Sequence, residues 1–284
     1  MRGGSVQNVL RKCFRLEVRL KSEERVWPTV AAPGRQWEQA PEELSLPRGV
    51  IHVWRAQLDG SPSLYDPCSA LLGEEEGRRA GRFHLDSDRR RFVVRRGLLR
   101  ILLGRYLRVE AARIRFSYGA GGKPALSSPA TNLQFNVSHS GGLALYAVTW
   151  EGAVGVDVER VRAIPEAEQI AARWFSAREV AEWGALPSGQ RAEGFLRYWT
   201  RIEACVKASG QGIAEALVQV QAATVSARSD EASSTLHPAG ARVDCVLCDL
   251  RPVRGYVGAL ACHRGGPVTP KKTGRAVSSE PLQY

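Results

Sequence analysis

Trp199, Glu203 and Lys207 stand four residues apart within FLRYWTRIEACVKASGQG, residues 195–212. On a helix this spacing stacks an aromatic, an acid and a base along one face. Alone, the Glu203–Lys207 pair reads as an ordinary i,i+4 surface pair. Two upstream stretches give it company. In AVGVDVER, 153–160, Asp157 and Glu159 are two apart on a strand, so both side chains share one face while Val156 and Val158 turn to the other. Neighbouring carboxylates repel unless they lie at an exposed strand end or share a cation. Mg²⁺ suits such a pair, because it takes one or two carboxylates and fills its shell with water and phosphate oxygens. In LQFNVSHS, 133–140, a strand runs into a turn at Gly141-Gly142 and carries Ser138 and His139 to its end. A histidine there is open to a ligand or is a satisfied structural residue.

Further cations surround this set. Lys123 sits in the glycine-rich turn YGAGGKPAL, where a lysine either meets a phosphate or is simply solvated. A helix predicted from about Ser87 to Tyr106 is crowded with arginine. On a helical wheel Arg89, Arg96 and Arg100 fall together as a solvated stripe, whereas Arg91 and Arg95 fall among Val94, Leu98 and Leu102. An arginine on an apolar side needs an anion, or it snorkels or pairs structurally. Carboxylates that hold Mg²⁺, cations that take phosphates, and a carboxylate that serves as base make a constellation for phosphoryl-type transfer. There is no Walker-A loop and no kinase signature set.

These residues need a scaffold of adequate size, and 284 residues supply one. The N-terminal basic residues lack a following apolar core, no apolar run approaches a membrane span, and the expected location is the cytoplasm. The net charge of +11, from 40 Lys+Arg against 29 Asp+Glu, favours an acidic partner or a polyphosphate ligand. Six cysteines in a chain of this size do not make a disulfide scaffold. Cys245-x-x-Cys248 with Cys262 and His263 has a faint zinc spacing, but RVDCVLCDL reads as strand with no turn between the cysteines.

Residues 1–47 carry four prolines after position 27 and no sustained period, and are expected to be a disordered extension. The first strand expected is VIHVWRAQL, 50–58. Helical sequence follows from Ala70 to Arg108, then the strand LQFNVSHS and the strand LALYAVTW. Ser176 and Glu179 have capping-box spacing, and the helix bearing Glu203 should end near Gly210. Strands are expected in ATVSARS, ARVDCVLCDL and YVGALACH, and residues 265–284 read as a disordered polar tail. The matching order of elements gives an α/β (α+β) fold of two similar halves, 48–150 and 151–264.

GKPAL at 122–126, FNVSHS at 135–140, GVDVE at 155–159 and WTRIEACVKASGQG at 199–212, in this order, resemble the Sfp-like 4′-phosphopantetheinyl transferases. FSxxE at 175–179 and the RF…DSDRRR stretch at 82–91 also look like family sequence, and the resemblance covers roughly residues 74–263. It implies a monomer with pseudo-twofold halves, each a small antiparallel sheet packed with a long helix. The implied reaction moves phosphopantetheine from coenzyme A onto a serine of an acidic acyl or peptidyl carrier protein. No nucleic acid and no membrane take part. Asp157, Glu159 and Glu203 would ligate Mg²⁺, and Glu203 would also be the base. Lys207 would stabilise the leaving 3′,5′-ADP. His139 would meet the 3′-phosphate with Ser138 beside it, and Lys123, Arg91 and Arg79 would grip phosphates. One departure is Ile202, where the family usually has lysine. A neighbour at i−1 points about 100° away from Glu203, so the expected loss is a supporting charge rather than the chemistry. The alternatives are a Mg²⁺-dependent phosphohydrolase or nuclease, or a nucleic-acid-binding protein using the arginine-rich helix.

Overall fold

The computed structural model describes residues 14–20, 37–41, 43–59, 62–118, 123–210, 235–236 and 245–263; for 16–20, 235–236, 245–246 and 263 it describes the backbone alone. The strands are β1 (Phe14–Leu20), β2 (Glu38–Gln39), β3 (Val50–Gln57), β4 (Arg115–Tyr118), β5 (Pro124–Ser128), β6 (Gln134–Ser140), β7 (Leu143–Thr149), β8 (Val154–Arg160), β9 (Thr235–Leu236), β10 (Cys245–Leu250) and β11 (Tyr256–His263). The helices are α1 (Tyr65–Ser69), α2 (Glu74–Ala80), α3 (Asp86–Leu107), α4 (Ala167–Trp174), α5 (Ala177–Gly184) and α6 (Ser188–Ser209). One antiparallel sheet has the order β2-β1-β3-β7-β6 and a second has β8-β11-β10-β9, with β4 and β5 forming a separate hairpin. The fold is thus α+β, as the sequence implied.

Period-2 alternation sets both faces of the first sheet. Val50, Trp54 and Ala56 of β3, with Ala144, Tyr146 and Val148 of β7, pack on Phe92, Val94, Leu98, Leu99 and Leu102 of α3. The alternate residues Ile51, Val53, Leu143, Leu145 and Ala147 pack on Val154, Val156, Val158, Leu250 and Leu260 of the second sheet. Strands buried on both faces read as continuous apolar runs, and every residue of β7 is buried. On the far side of the second sheet the contact layer is small: Ala204, Cys205 and Ala208 of α6 meet Leu247, Ala259 and Ala261. Polar ties orient the helices. Trp54 Nε1 donates to Tyr106 Oη at 2.8 Å, and Tyr106 Oη lies 2.6 Å from His52 Nδ1. Burial pushes His52 down to about 4, so a neutral imidazole can accept the tyrosine proton. Arg201 of α6 donates from Nε and Nη2 to the two carboxylate oxygens of Asp249 in β10, at 2.7 and 2.8 Å.

Two expectations change. Part of the segment 1–47 is ordered: β1 pairs along β3 from Phe14↔Ala56 to Leu20↔Val50, and Phe14 is fully buried edge-on to Trp54 and Tyr146. The strand covers what would otherwise be an open edge of β3. Its alternation, FRLEVRL, was there to be read but is outweighed by the prolines that follow. Second, Arg96 and Arg100 form no solvated stripe, since both are buried. Glu76 of α2 lies between them, taking Arg96 Nε at 2.5 Å and Arg100 Nη2 at 2.6 Å. Burial pushes the Glu76 carboxyl up, but Arg96, the Gly73 N–H and Arg100 outweigh it and hold it below its ordinary value. A wheel of one helix cannot show that another helix brings an anion to its polar face. Cys248 and Cys262 pack in the core between the sheets, consistent with apolar strand residues. ATVSARS and the tail 265–284 lie outside the described residues.

If β1 belongs to the cooperative core, Phe14→Ala should cost about 3–5 kcal/mol in urea unfolding. A cost under about 1 kcal/mol would show that β1 is dispensable.

Candidate active site

The site is built where α6 lies against β8. An added Cβ at Gly155 would come within 2.0 Å of the Ala204 carbonyl oxygen and 2.5 Å of the Ala208 nitrogen, so only glycine allows this approach. The helix is thereby pressed onto the strand that carries Asp157. α6 ends at Gly210, whose φ of 71° is the left-handed conformation of a glycine cap.

Asp157 is 3% exposed. Its Oδ1 accepts from Lys207 Nζ at 2.6 Å and from Ser138 Oγ at 2.7 Å, while its buried Oδ2 has no hydrogen-bond partner among the described residues. Burial pushes the Asp157 carboxyl up, Lys207 and Ser138 pull it back, and Glu159 adds repulsion. The Lys207 ammonium at 2.6 Å favours the ionised form against that burial. Glu203, one turn before Lys207, also titrates above its ordinary value. Burial is the main cause, Lys207 opposes it, and Asp157 and Glu159 reinforce it. Glu159 Oε2 accepts from Ser140 Oγ and from Arg162 Nη1, each at 2.8 Å.

Asp157, Glu159, Trp199, Glu203 and Lys207 form one wall of a cleft of about 440 Å³. The opposite wall comes from α2, α3 and β6. Phe92, Arg95, Arg96 and Leu99 are at i, i+3, i+4 and i+7 of α3, a single helical stripe. Arg79 and Arg95 both lie over the Phe92 ring, at 5.6 and 5.7 Å. Burial pushes the Arg95 guanidinium down to about 10, which leaves it charged at pH 7. His139 opens into the same cleft. Its recessed position, and then the cations Arg95, Lys207, Arg79 and Arg91, push it down to about 3. The residue is exposed, and all four cations disfavour a proton on its imidazole. A wall of cations opposite a wall of carboxylates is suited to a polyphosphate bridged by a divalent cation.

The structure gathers Arg79, Ser138, His139, Asp157, Glu159, Glu203 and Lys207 around this cleft. Two other sequence candidates do not line the cleft and bond to groups of the protein itself. Lys123 Nζ donates to the Lys207 carbonyl at 2.6 Å and lies 3.4 Å from that of Val154, tying β5 to the last turn of α6. Burial pushes this lysine down to about 8. Arg91 binds both oxygens of Asp59, at 2.8 and 2.9 Å, and Asp59 packs against Gly142 in the β6–β7 turn. Arg95, singled out from sequence as an arginine that needs an anion, lines the cleft, and so does Arg96, which the helical wheel had placed on a solvated stripe. Ile202 is 5% exposed and packs with Phe175, Trp183, Phe195, Leu196 and Val206. It thus fills core beneath α4 and α5, on a different face from Glu203.

A cleft with these two walls suits a phosphate-rich ligand. Comparison with known proteins narrows the class. A family model described as the 4′-phosphopantetheinyl transferase superfamily matches residues 153–261, and one described as 4′-phosphopantetheinyl transferase, N-terminal, matches 59–151. The 4′-phosphopantetheinyl transferase HetI of Nostoc sp. is 41% identical over 181 residues, covering 63% of this chain and 76% of the relative. AcpT of Salmonella typhimurium is 40% identical over 130 residues, 46% of this chain and 65% of the relative. Sfp of Bacillus subtilis is 27% identical over 144 residues, 51% of this chain and 62% of the relative. The chain belongs to the 4′-phosphopantetheinyl transferase family.

Gly155→Ala should force α6 off β8 and cost about 1–3 kcal/mol in urea unfolding; wild-type stability would mean that the helix does not sit where Gly155 places it. In an NMR titration His139 should remain neutral at pH 5, because its proton is lost below the ordinary value and regained only near about 3. A measured pKa above 6 would remove the cations from its surroundings.

Proposed function

We infer that this protein transfers 4′-phosphopantetheine from coenzyme A to a serine hydroxyl of an apo acyl or peptidyl carrier protein and releases 3′,5′-ADP. The observation that carries this reading is the pairing across the cleft. Glu203 and Lys207 of α6, beside the buried Asp157, face the cations of α2 and α3. Membership of the family supports it. The named relatives are 4′-phosphopantetheinyl transferases, and they lend no support to the nuclease or nucleic-acid-binding alternatives.

The chemistry follows from what each group can do. Glu203 is a carboxylate whose raised pKa makes it a better proton acceptor than a solvated one. It takes the serine proton as the serine oxygen bonds to the phosphorus that carries the pantetheine arm. The bond from that phosphorus to the bridging pyrophosphate oxygen breaks, and 3′,5′-ADP leaves. The Lys207 ammonium is placed to neutralise the charge that develops on the leaving phosphate. Arg79, Arg95 and the neutral His139 hold the remaining phosphate oxygens, the arginines through charge and the imidazole through one hydrogen bond.

Asp157, Glu159 and Glu203 would hold Mg²⁺. The residues fit: Asp157 Oδ2 is a buried oxygen without a partner, beside two more carboxylates of the same cleft. Among the described residues no group of three such side chains converges on one point. Mg²⁺ would take water and substrate phosphate oxygens for the rest of its shell. When bound it supplies charge neutralisation on the pyrophosphate. We further infer that the protein works as a monomer. Its charge of +11 would speed encounter with an acidic carrier protein.

The test is the intact mass of an apo carrier protein after incubation with the protein, coenzyme A and Mg²⁺. One phosphopantetheine should be added, and EDTA should abolish the gain. Glu203→Gln should lower kcat by about 100-fold or more with its melting temperature unchanged. Wild-type turnover by Glu203→Gln would place the base elsewhere. No mass gain on any of several carrier proteins would overturn the reading.

A further inference from the structure

β6 and β8 run side by side, yet they share no sheet: β6 ends the five-stranded sheet and β8 ends the four-stranded one. Side chains close the seam. Asn136, Ser138 and Ser140 occupy every second position of β6, and each accepts one backbone N–H from every second residue of β8. Asn136 Oδ1 takes Val156 N–H at 2.9 Å, Ser138 Oγ takes Val158 N–H at 3.4 Å, and Ser140 Oγ takes Arg160 N–H at 3.1 Å. Each hydroxyl then donates its own proton to the carboxylate one residue earlier on β8. Ser138 gives it to Asp157 Oδ1 at 2.7 Å, and Ser140 gives it to Glu159 Oε2 at 2.8 Å. The seam therefore repeats with the period of a strand, and its hydroxyl protons end on the two carboxylates of β8 that line the cleft.

From this we propose that Ser140 is a positioning residue for the metal-binding carboxylates, with Asn136 fixing the register in which it acts. The proposal rests on the reading that Asp157 and Glu159 hold a divalent cation. Ser140 does not line the cleft, so its effect must pass through Glu159. Its hydroxyl does two things at once. By accepting the Arg160 N–H it fixes the height of β8 against β6. By donating to Glu159 Oε2 it sets the rotation of that carboxylate. A methyl group at this place would do neither. Arg162 reaches the same oxygen at 2.8 Å, but its side chain is 55% exposed and so is screened by solvent. Hydrogen-bond partners behind a ligating carboxylate commonly govern metal affinity as strongly as a weak ligand does. The two residues also differ in kind: Ser138 serves Asp157 together with Lys207, whereas Ser140 is the buried-side donor to Glu159.

The experiment measures Mn²⁺ binding to the full chain in the presence of coenzyme A, following free Mn²⁺ by electron paramagnetic resonance. Wild type, Ser140→Ala, Ser140→Thr and Glu159→Gln are compared, and unfolding midpoints are recorded for each. Ser140→Ala should weaken Mn²⁺ binding about 10-fold. Ser140→Thr, which keeps the hydroxyl, should bind within about 2-fold of wild type. Wild-type affinity in Ser140→Ala would overturn the proposal, as would equal weakening in Ser140→Thr, which would reduce Ser140 to packing. The underlying reading fails separately: if Glu159→Gln binds Mn²⁺ as wild type does, Glu159 is not a ligand, whatever Ser140 does.

Discussion

A carboxylate buried between a sheet and a helix is expensive unless a cation and hydrogen bonds meet it, and the placement of Asp157 constrains the rest of this structure. Lys207 must reach it, so α6 must lie close to β8. That closeness requires Gly155 in the strand and the small residues Ala204, Ala208, Ala259 and Ala261 in the contact layer. Ser138 must reach it from the other side, so β6 must run alongside β8. Even then Asp157 Oδ2 has no hydrogen-bond partner among the described residues. An unpaired buried oxygen costs free energy until a cation or a donor meets it.

The cleft lies at the joint of two sheets, which bring different groups to it. The second sheet and α6 bring the acids and Lys207. The first sheet, α2 and α3 bring the arginines and His139. Each wall is braced by an ion pair behind it. Glu76 locks α2 onto α3 through Arg96 and Arg100, which sets where Arg79 stands one turn later. Asp249 locks α6 through Arg201. The shared apolar core between the sheets keeps the two walls at a fixed separation. Phosphoryl transfer depends mainly on such positioning, because the protein has little covalent chemistry to perform.

Local signals were legible. The capping box at Ser176–Glu179 forms as its spacing requires, because both partners lie within one turn. Glu203 and Lys207 share a helix face and Asp157 and Glu159 share a strand face, since period alone decides this. The family motifs named the family for the same reason: each is a short run whose chemistry is local.

What the sequence by itself determined was therefore element type, the facing of residues within an element, and the family. What only the tertiary structure decided was which elements meet. Arg96 and Arg100 looked solvated until α2 brought Glu76 between them. That Lys123 reaches the end of α6 and Arg91 reaches Asp59 was likewise decided between elements. Phe14 lay in a proline-rich segment until β1 paired with β3. The physical reason is the same each time. Periodicity follows from the backbone of one element, whereas the energy of a charge or a ring is set by the partner that another element delivers.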